Sequence, residues 1–120
     1  MLTVTAGDTC EIWLVDPKLC GGLPDFSGCT VSLDFACTYP GGRAPITYST
    51  VGATIILGNI IDNVFIPGGS PQLAAQCVID STVFGAGDSK WACQWHVVST
   101  IGRKITPEHA KDTLSVSAQI

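Results

Sequence analysis

The chain is short of charge. Only 13% of its 120 residues are Asp, Glu, Lys or Arg, about half the usual share. The six Lys and Arg residues form no cluster and the net charge is −4, which excludes the basic footprint that nucleic acid binding requires. The opening residues Met1-Leu2-Thr3-Val4-Thr5 lack a basic stretch followed by an apolar run, so no secretory signal is read there. No apolar run reaches the roughly 18 residues of a membrane-spanning helix, and a soluble protein is expected. There is no CxxC pair for zinc and no D-x-D-x-D loop for calcium. The glycine-rich stretches Gly41-Gly42, Gly68-Gly69 and Gly85-Ala86-Gly87 lack the lysine and the strand-to-helix setting of a phosphate loop. No cofactor, no metal, no nucleic acid and no membrane are expected as partners. A surface with so few charges is expected to meet other protein over much of its area.

Hydrophobic residues, by contrast, make up 46% of the chain. At this length they build one domain, residues 1–120, with its own core. Their pattern is period two, the signature of strands whose successive side chains face opposite ways. The organising stretch runs from Gly7 to Leu33. After the Gly7-Asp8 turn comes a strand with Ile12 and Leu14 inward and Glu11, Trp13 and Val15 on the other side. A connector, Pro17 to Pro24, and a turn at Asp25-Phe26-Ser27-Gly28 lead to a second strand, Cys29 to Thr38. There Val31, Leu33, Phe35 and Cys37 alternate with Ser32, Asp34, Ala36 and Thr38. Late in the chain Trp91 to Thr100 and Thr113 to Ile120 alternate as clearly, the latter through Leu114 and Val116. Ala75, Cys77 and Ile79 share one face of the stretch Leu73 to Phe84. The only segment suited to a turn of helix is Pro107 to Lys111, with proline at its first position. About seven or eight short strands separated by turn signals predict an all-β fold, an antiparallel β-sandwich, immunoglobulin-like or a small barrel.

The middle, Ala53 to Ile66, is apolar without clear alternation. It is either a strand pair buried on both faces or an apolar segment that packs on a neighbour. Its surplus of apolar side chains makes Ile55, Leu57, Ile60, Ile61, Val64 and Phe65 candidate interface residues, together with the outward Trp13.

Five of the six cysteines, Cys10, Cys29, Cys37, Cys77 and Cys93, fall on predicted core faces, where a free thiol behaves as a small hydrophobe. Disulfides are the other reading, with Cys29 or Cys37 bridged to Cys77 or Cys93 across the sheets. His96, beside Trp95 and Val97, has no partner signature for catalysis and reads as a surface or interface histidine. His109, after Pro107-Glu108, reads as a solvated loop residue. Asp8, Asp25 and Asp88 sit beside Gly or Ser in turns, where Asp caps its own backbone. No catalytic residue is expected and the chain is not read as an enzyme.

Several of these pieces recur together in one known setting. Gly7-Asp8-Thr9, Leu14-Val15-Asp16, Gly22-Leu23-Pro24 and Asp25-Phe26-Ser27-Gly28-Cys29-Thr30-Val31, followed late in the chain by Trp95-His96-Val97-Val98, a glycine turn and a final alternating strand, resemble a β-sandwich domain of tailed-bacteriophage virion proteins. Its best-known members are the amino-terminal domains of siphophage baseplate upper proteins and related fibre-anchoring proteins. The chain departs from that pattern in its cysteine load and its long Pro17–Pro24 connector. The resemblance implies a non-enzymatic component of a phage particle, assembled in the host cytoplasm and bound to other virion proteins in a symmetric array. Capsid decoration and a baseplate or fibre adaptor both suit it, as does a homo-oligomer. The alternative from another class is a small secreted, disulfide-stapled β protein such as a lectin or fungal effector.

Overall fold

A computed structural model describes residues 2–85, 87–106 and 111–117. Their strands are β1 (Leu2–Thr5), β2 (Thr9–Val15), β3 (Thr30–Tyr39), β4 (Ile46–Ser49), β5 (Ile55–Ile61), β6 (Val64–Pro67), β7 (Ala74–Asp80), β8 (Ser89–Val98), β9 (Lys104–Ile105) and β10 (Lys111–Ser117). They form two sheets, the all-β sandwich expected from the alternation. One sheet has the order β1-β10-β8-β3-β4, with β9 also on β8, and the other has the order β2-β7-β5-β6. All pairings are antiparallel except that of β1 with β10. The strand segments outnumber the expected seven or eight because the apolar middle supplies a hairpin and β9 is only two residues long.

The central pairing is β3 on β8, in the register Val31↔Val97, Leu33↔Trp95, Phe35↔Cys93 and Cys37↔Trp91. Residues directly opposite share a face, so the inward set of one strand meets the inward set of the other. Leu114 and Val116 of β10 extend this buried surface. The second sheet lays Ile12 and Leu14, Ala75, Cys77 and Ile79, and Ile55 against it. Small Ala75 and Cys77 face a sheet that contributes Phe35, Trp91 and Trp95, so bulk on one side is matched by its lack on the other. The sandwich is closed at one end by Phe84, whose ring meets Phe35 and Trp91 edge-on at 5.1 and 5.0 Å between centroids. The loop carrying buried Phe26 is held through Phe26 N–H to the Gln72 carbonyl (2.8 Å) and through Asp25, which accepts from Ser27 Oγ (2.6 Å) and Gln72 N–H (3.2 Å).

The expectation that only Pro107 to Lys111 suits a turn of helix is corrected. The turns of helix among the described residues are 3₁₀ turns at Pro17–Leu19 and Ser81–Phe84. Lys111 opens β10, while 107–110 lie outside the described residues. The first turn starts on Pro17, whose missing N–H costs nothing at that position; in the second, Asp80 caps by accepting from Thr82 N–H at 3.0 Å.

Replacing Leu33, fully buried in β3, with Ala is expected to cost about 2–4 kcal/mol through lost burial plus the cavity left behind. Val116→Ala removes less side chain and is expected to fall at the lower end of that range. Urea unfolding with an unchanged m value checks both; a loss below about 1 kcal/mol at Leu33 would contradict its central place.

Candidate assembly interface

The second sheet is apolar on both faces. Its inner face is core; its outer face carries Trp13 and Val15 of β2, Ile56 and Ile60 of β5, Phe65 of β6 and Val78 of β7. The ladder brings them together: Trp13 lies opposite Gln76, which lies opposite Ile56, and Ile60 lies opposite Phe65. Val15, Val78 and Ile56 are exposed. Two charged side chains share this face: Asp80 at the end of β7, opposite Thr9, and Glu11, which accepts a hydrogen bond from Gln76 Nε2.

From this sheet an arm departs. The first half of β5 pairs with β7 through Ile55↔Cys77 to Gly58↔Ala74, and the second half pairs only with β6, from Gly58↔Pro67 to Ile61↔Val64. The exchange happens at Gly58, where a Cβ would overlap the Ile66 carbonyl oxygen and press on the Phe65 ring; only glycine fits. Asn59 then replaces the missing β7 ladder. Its Nδ2 donates to the Pro71 carbonyl at 2.7 Å and its Oδ1 accepts from Leu73 N–H at 3.1 Å. At the tip, Asp62 and Asn63 both take positive φ, 52° and 60°, as a two-residue turn between twisted strands requires. Beyond the sandwich the arm's inner-facing side chains lie open: Ile61 is 58% exposed, Val64 55% and Ile66 46%.

The candidate interface residues therefore separate. Ile61 and Val64 are open at the tip, Ile60, Phe65 and Trp13 are half-buried on the outer face, and Leu57 packs against the core. Ile55 is 2% exposed and belongs to the core, because it lies in the half of β5 still paired to β7. Val15, read as outward, and Ile56 and Ile66 of the apolar middle join the apolar surface; Val78 does so unforeseen, although its parity against Cys77 and Ile79 marked it as outward.

Groups with chemical potential lie elsewhere. His96 sits on the outer face of the larger sheet with Nε2 3.2 Å from Asp34 Oδ2, and Asp34 Oδ1 accepts from Thr47 Oγ1 at 2.7 Å. The histidine thus has a carboxylate partner that its sequence neighbours did not reveal. Ser32 stands directly across the ladder from His96, yet no side-chain hydrogen bond joins them among the described residues, so the trio lacks the nucleophile–base link of acyl transfer. A hollow of about 610 Å³ flanks the pair, lined in part by Ala36, Pro45, Ala92 and Gln94. Cys93 and His96 have a metal-like spacing, but one faces the core and the other solvent. No group of three potential metal ligands occurs among the described residues. His109 lies outside the described residues.

All six cysteines are free. The reading as core thiols holds, and the alternative inter-sheet bridge from Cys29 or Cys37 to Cys93 is corrected, because Cys93 belongs to β8 in the same sheet as Cys37 of β3 and the strand that Cys29 precedes; Cys77, in the other sheet, is free as well. Burial pushes the Cys77 thiol up to about 12 and that of Cys20 up to about 11, and raises Cys10, Cys29 and Cys93. Thiols held protonated in this way are poor nucleophiles. A second hollow, of about 750 Å³, runs along β2; Trp13, Leu14, Leu19, Leu2 and Trp95 line it, as do Glu11, Asp16 and Asp112.

Comparison with protein-family models, curated proteins and solved structures gives no match.

Thiol titration with an aromatic disulfide reagent is expected to separate the cysteines. The half-buried Cys10 and Cys37 react first in the native protein, and buried Cys20, Cys29, Cys77 and Cys93 react only on unfolding. Fewer than six thiols in the denatured, unreduced protein would contradict the free state.

Proposed function

We propose that this chain is a non-enzymatic structural component of a tailed-phage particle, binding other virion proteins in a symmetric array as a capsid decoration or a baseplate or fibre adaptor. The observation that carries the assembly role is the apolar arm, β5–β6 beyond Gly58, with Ile61, Val64 and Ile66 open to solvent. A two-stranded hairpin is marginal in water by itself, and an apolar one is favoured only when something covers it. The outer face of the same sheet adds a second apolar surface continuous with the arm through Ile60 and Phe65. Low charge and the resemblance of the Gly7–Val31 stretch to fibre-anchoring domains supply the phage setting. Catalysis finds little support: the His96–Asp34 pair has no linked nucleophile among the described residues, and the buried thiols are held protonated.

Two substitutions at the tip, Ile61→Asp and Val64→Asp, test the role. Both positions are more than half exposed, so the isolated domain is expected to keep its stability within about 0.5 kcal/mol, as surface changes do. Incorporation into particles, read by mass spectrometry of virions produced with the variant gene, is expected to be lost. Variants that enter particles at the normal level would refute the arm's role, and a wild-type chain absent from purified virions would refute the phage setting.

A further inference from the structure

The smaller sheet has two free edges, β6 at the arm and β2 at the other side, and the two suit each other. The backbone bond from Ser81 N–H to the Asp8 carbonyl sets the phase of the β2–β7 ladder. Alternation then turns the N–H and C=O of Cys10, Ile12 and Leu14 toward β7 and those of Glu11, Trp13 and Val15 toward the open edge. Along that edge runs the 750 Å³ hollow with its floor of Leu2, Leu14, Leu19 and Trp95. Trp13 lines it, and its indole Nε1 is buried with no hydrogen-bond partner among the described residues. A buried donor left unpaired is costly, and natural proteins rarely carry one without a reason. On the arm, the bond from Gly68 N–H to the Leu57 carbonyl sets the phase in the same way. Phe65 turns its N–H and C=O outward, and Pro67 offers a carbonyl with no N–H.

We propose that the arm of one copy of this chain docks on the β2 edge of the next, antiparallel, with Phe65 opposite Trp13. This deepens the assembly reading above and rests on it. In that register the Phe65 N–H and C=O exchange bonds with Trp13, and the Pro67 carbonyl accepts from Glu11 N–H. Phe65 joins Trp13 on the outer face, so the two apolar outer faces become one. On the inner face Ile66 falls beside Ile12 and Val64 beside Leu14, over the floor of the hollow. Two of the arm's three exposed aliphatic positions, Ile66 and Val64, and the open groove are therefore the two halves of one contact, and the arm brings backbone carbonyls to the edge that carries the orphan indole. Because donor and acceptor edges lie on opposite sides of one sheet, the contact is head-to-tail and builds a ring or a row of copies. The register also brings Asp62 of the arm toward Asp16 of the acceptor, two like charges whose repulsion falls as salt screens them.

Sedimentation velocity of the full chain, up to roughly 100 µM, tests the proposal. The wild type is expected to associate, more tightly at higher salt and more tightly still as Asp62→Asn. Ile66→Asp on the arm and Trp13→Asp on the acceptor edge are each expected to weaken association about tenfold or more. An equimolar mixture of these two variants is expected to form pairs and nothing larger, since it retains one intact arm and one intact groove. Circular dichroism establishes that each variant is folded; should Trp13→Asp unfold, Trp13→Phe, which keeps an aromatic ring and removes the donor, is expected to weaken association instead. A wild type that stays monomeric, a Trp13 variant that associates like the wild type, or a mixture without pairs overturns the proposal. Loss of virion incorporation by Ile61→Asp together with any of those results would leave the assembly role standing, with a different virion protein as the arm's partner.

Discussion

Everything in this molecule is hung on the antiparallel pairing of β3 with β8. Both strands are ten residues long, and their register places Val31, Leu33 and Phe35 opposite Val97, Trp95 and Cys93, so a single ladder assembles the largest part of the core. β10 and β9 pair with β8 and β4 pairs with β3. The larger sheet is thus a platform whose inner face is fully occupied by large side chains. The smaller sheet answers with Ala75 and Cys77 on its central strand, and Phe84 ties its end down to Phe35 and Trp91. Slipping the β3–β8 register by one residue would turn the hydrophobic set of the slipped strand to solvent and leave its partner's unmatched.

The legibility of the fold follows from that arrangement. β3, β8 and β10 have one buried and one solvated face, so their alternation shows in the residues themselves, and Leu33, Trp95 and Val116 are readable as core. β5 is not readable in this way. It changes partner at Gly58, so Ile55 and Ile61, of the same parity, end in opposite environments: the first under the larger sheet and the second beyond its end. Nothing in the local residues marks that boundary except a glycine whose need is a close approach by Ile66, a contact made by a different strand. Asp62-Asn63 was the local clue to the hairpin. The His96–Asp34 pair was equally hidden, because it depends on a diagonal across two strands far apart in sequence. Trp13 was legible as outward, but the company it keeps, Ile56 and Val78, required the order β2-β7-β5.

The two outer faces divide the molecule's chemistry between them. The larger sheet shows solvent Ser32, Asp34, Gln94 and His96, with Thr47 from β4. The smaller one shows Trp13, Val15, Ile56 and Val78. The polar side chains are therefore not spread evenly: they fill the centre of the larger sheet's outer face, while on the smaller sheet Glu11 and Gln76 pair with each other among apolar neighbours. A domain built this way has a defined orientation when it meets another protein, since burying the polar face would strip hydration from Asp34 and His96 while burying the apolar face removes little. The asymmetry is independent of any particular partner and follows from which side chains the strand order brings together.

An apolar arm and a free edge also invite unwanted pairing, and the arm's construction limits it. Pro67 removes one of the donors that β6 could present and leaves Phe65 with the single outward amide of the strand, so the edge is a weak template for indiscriminate strand addition. What the arm presents instead is a fixed set of side chains. Gly58 sets its angle of departure, Asn59 clasps its base to Pro71 and Leu73, and the Asp62-Asn63 turn holds its tip. The hairpin is therefore ordered when the domain folds rather than when it docks. Conformational entropy already lost on folding is not lost again on association, which lets a short contact of a few aliphatic side chains hold a partner that a floppy loop of the same composition would not.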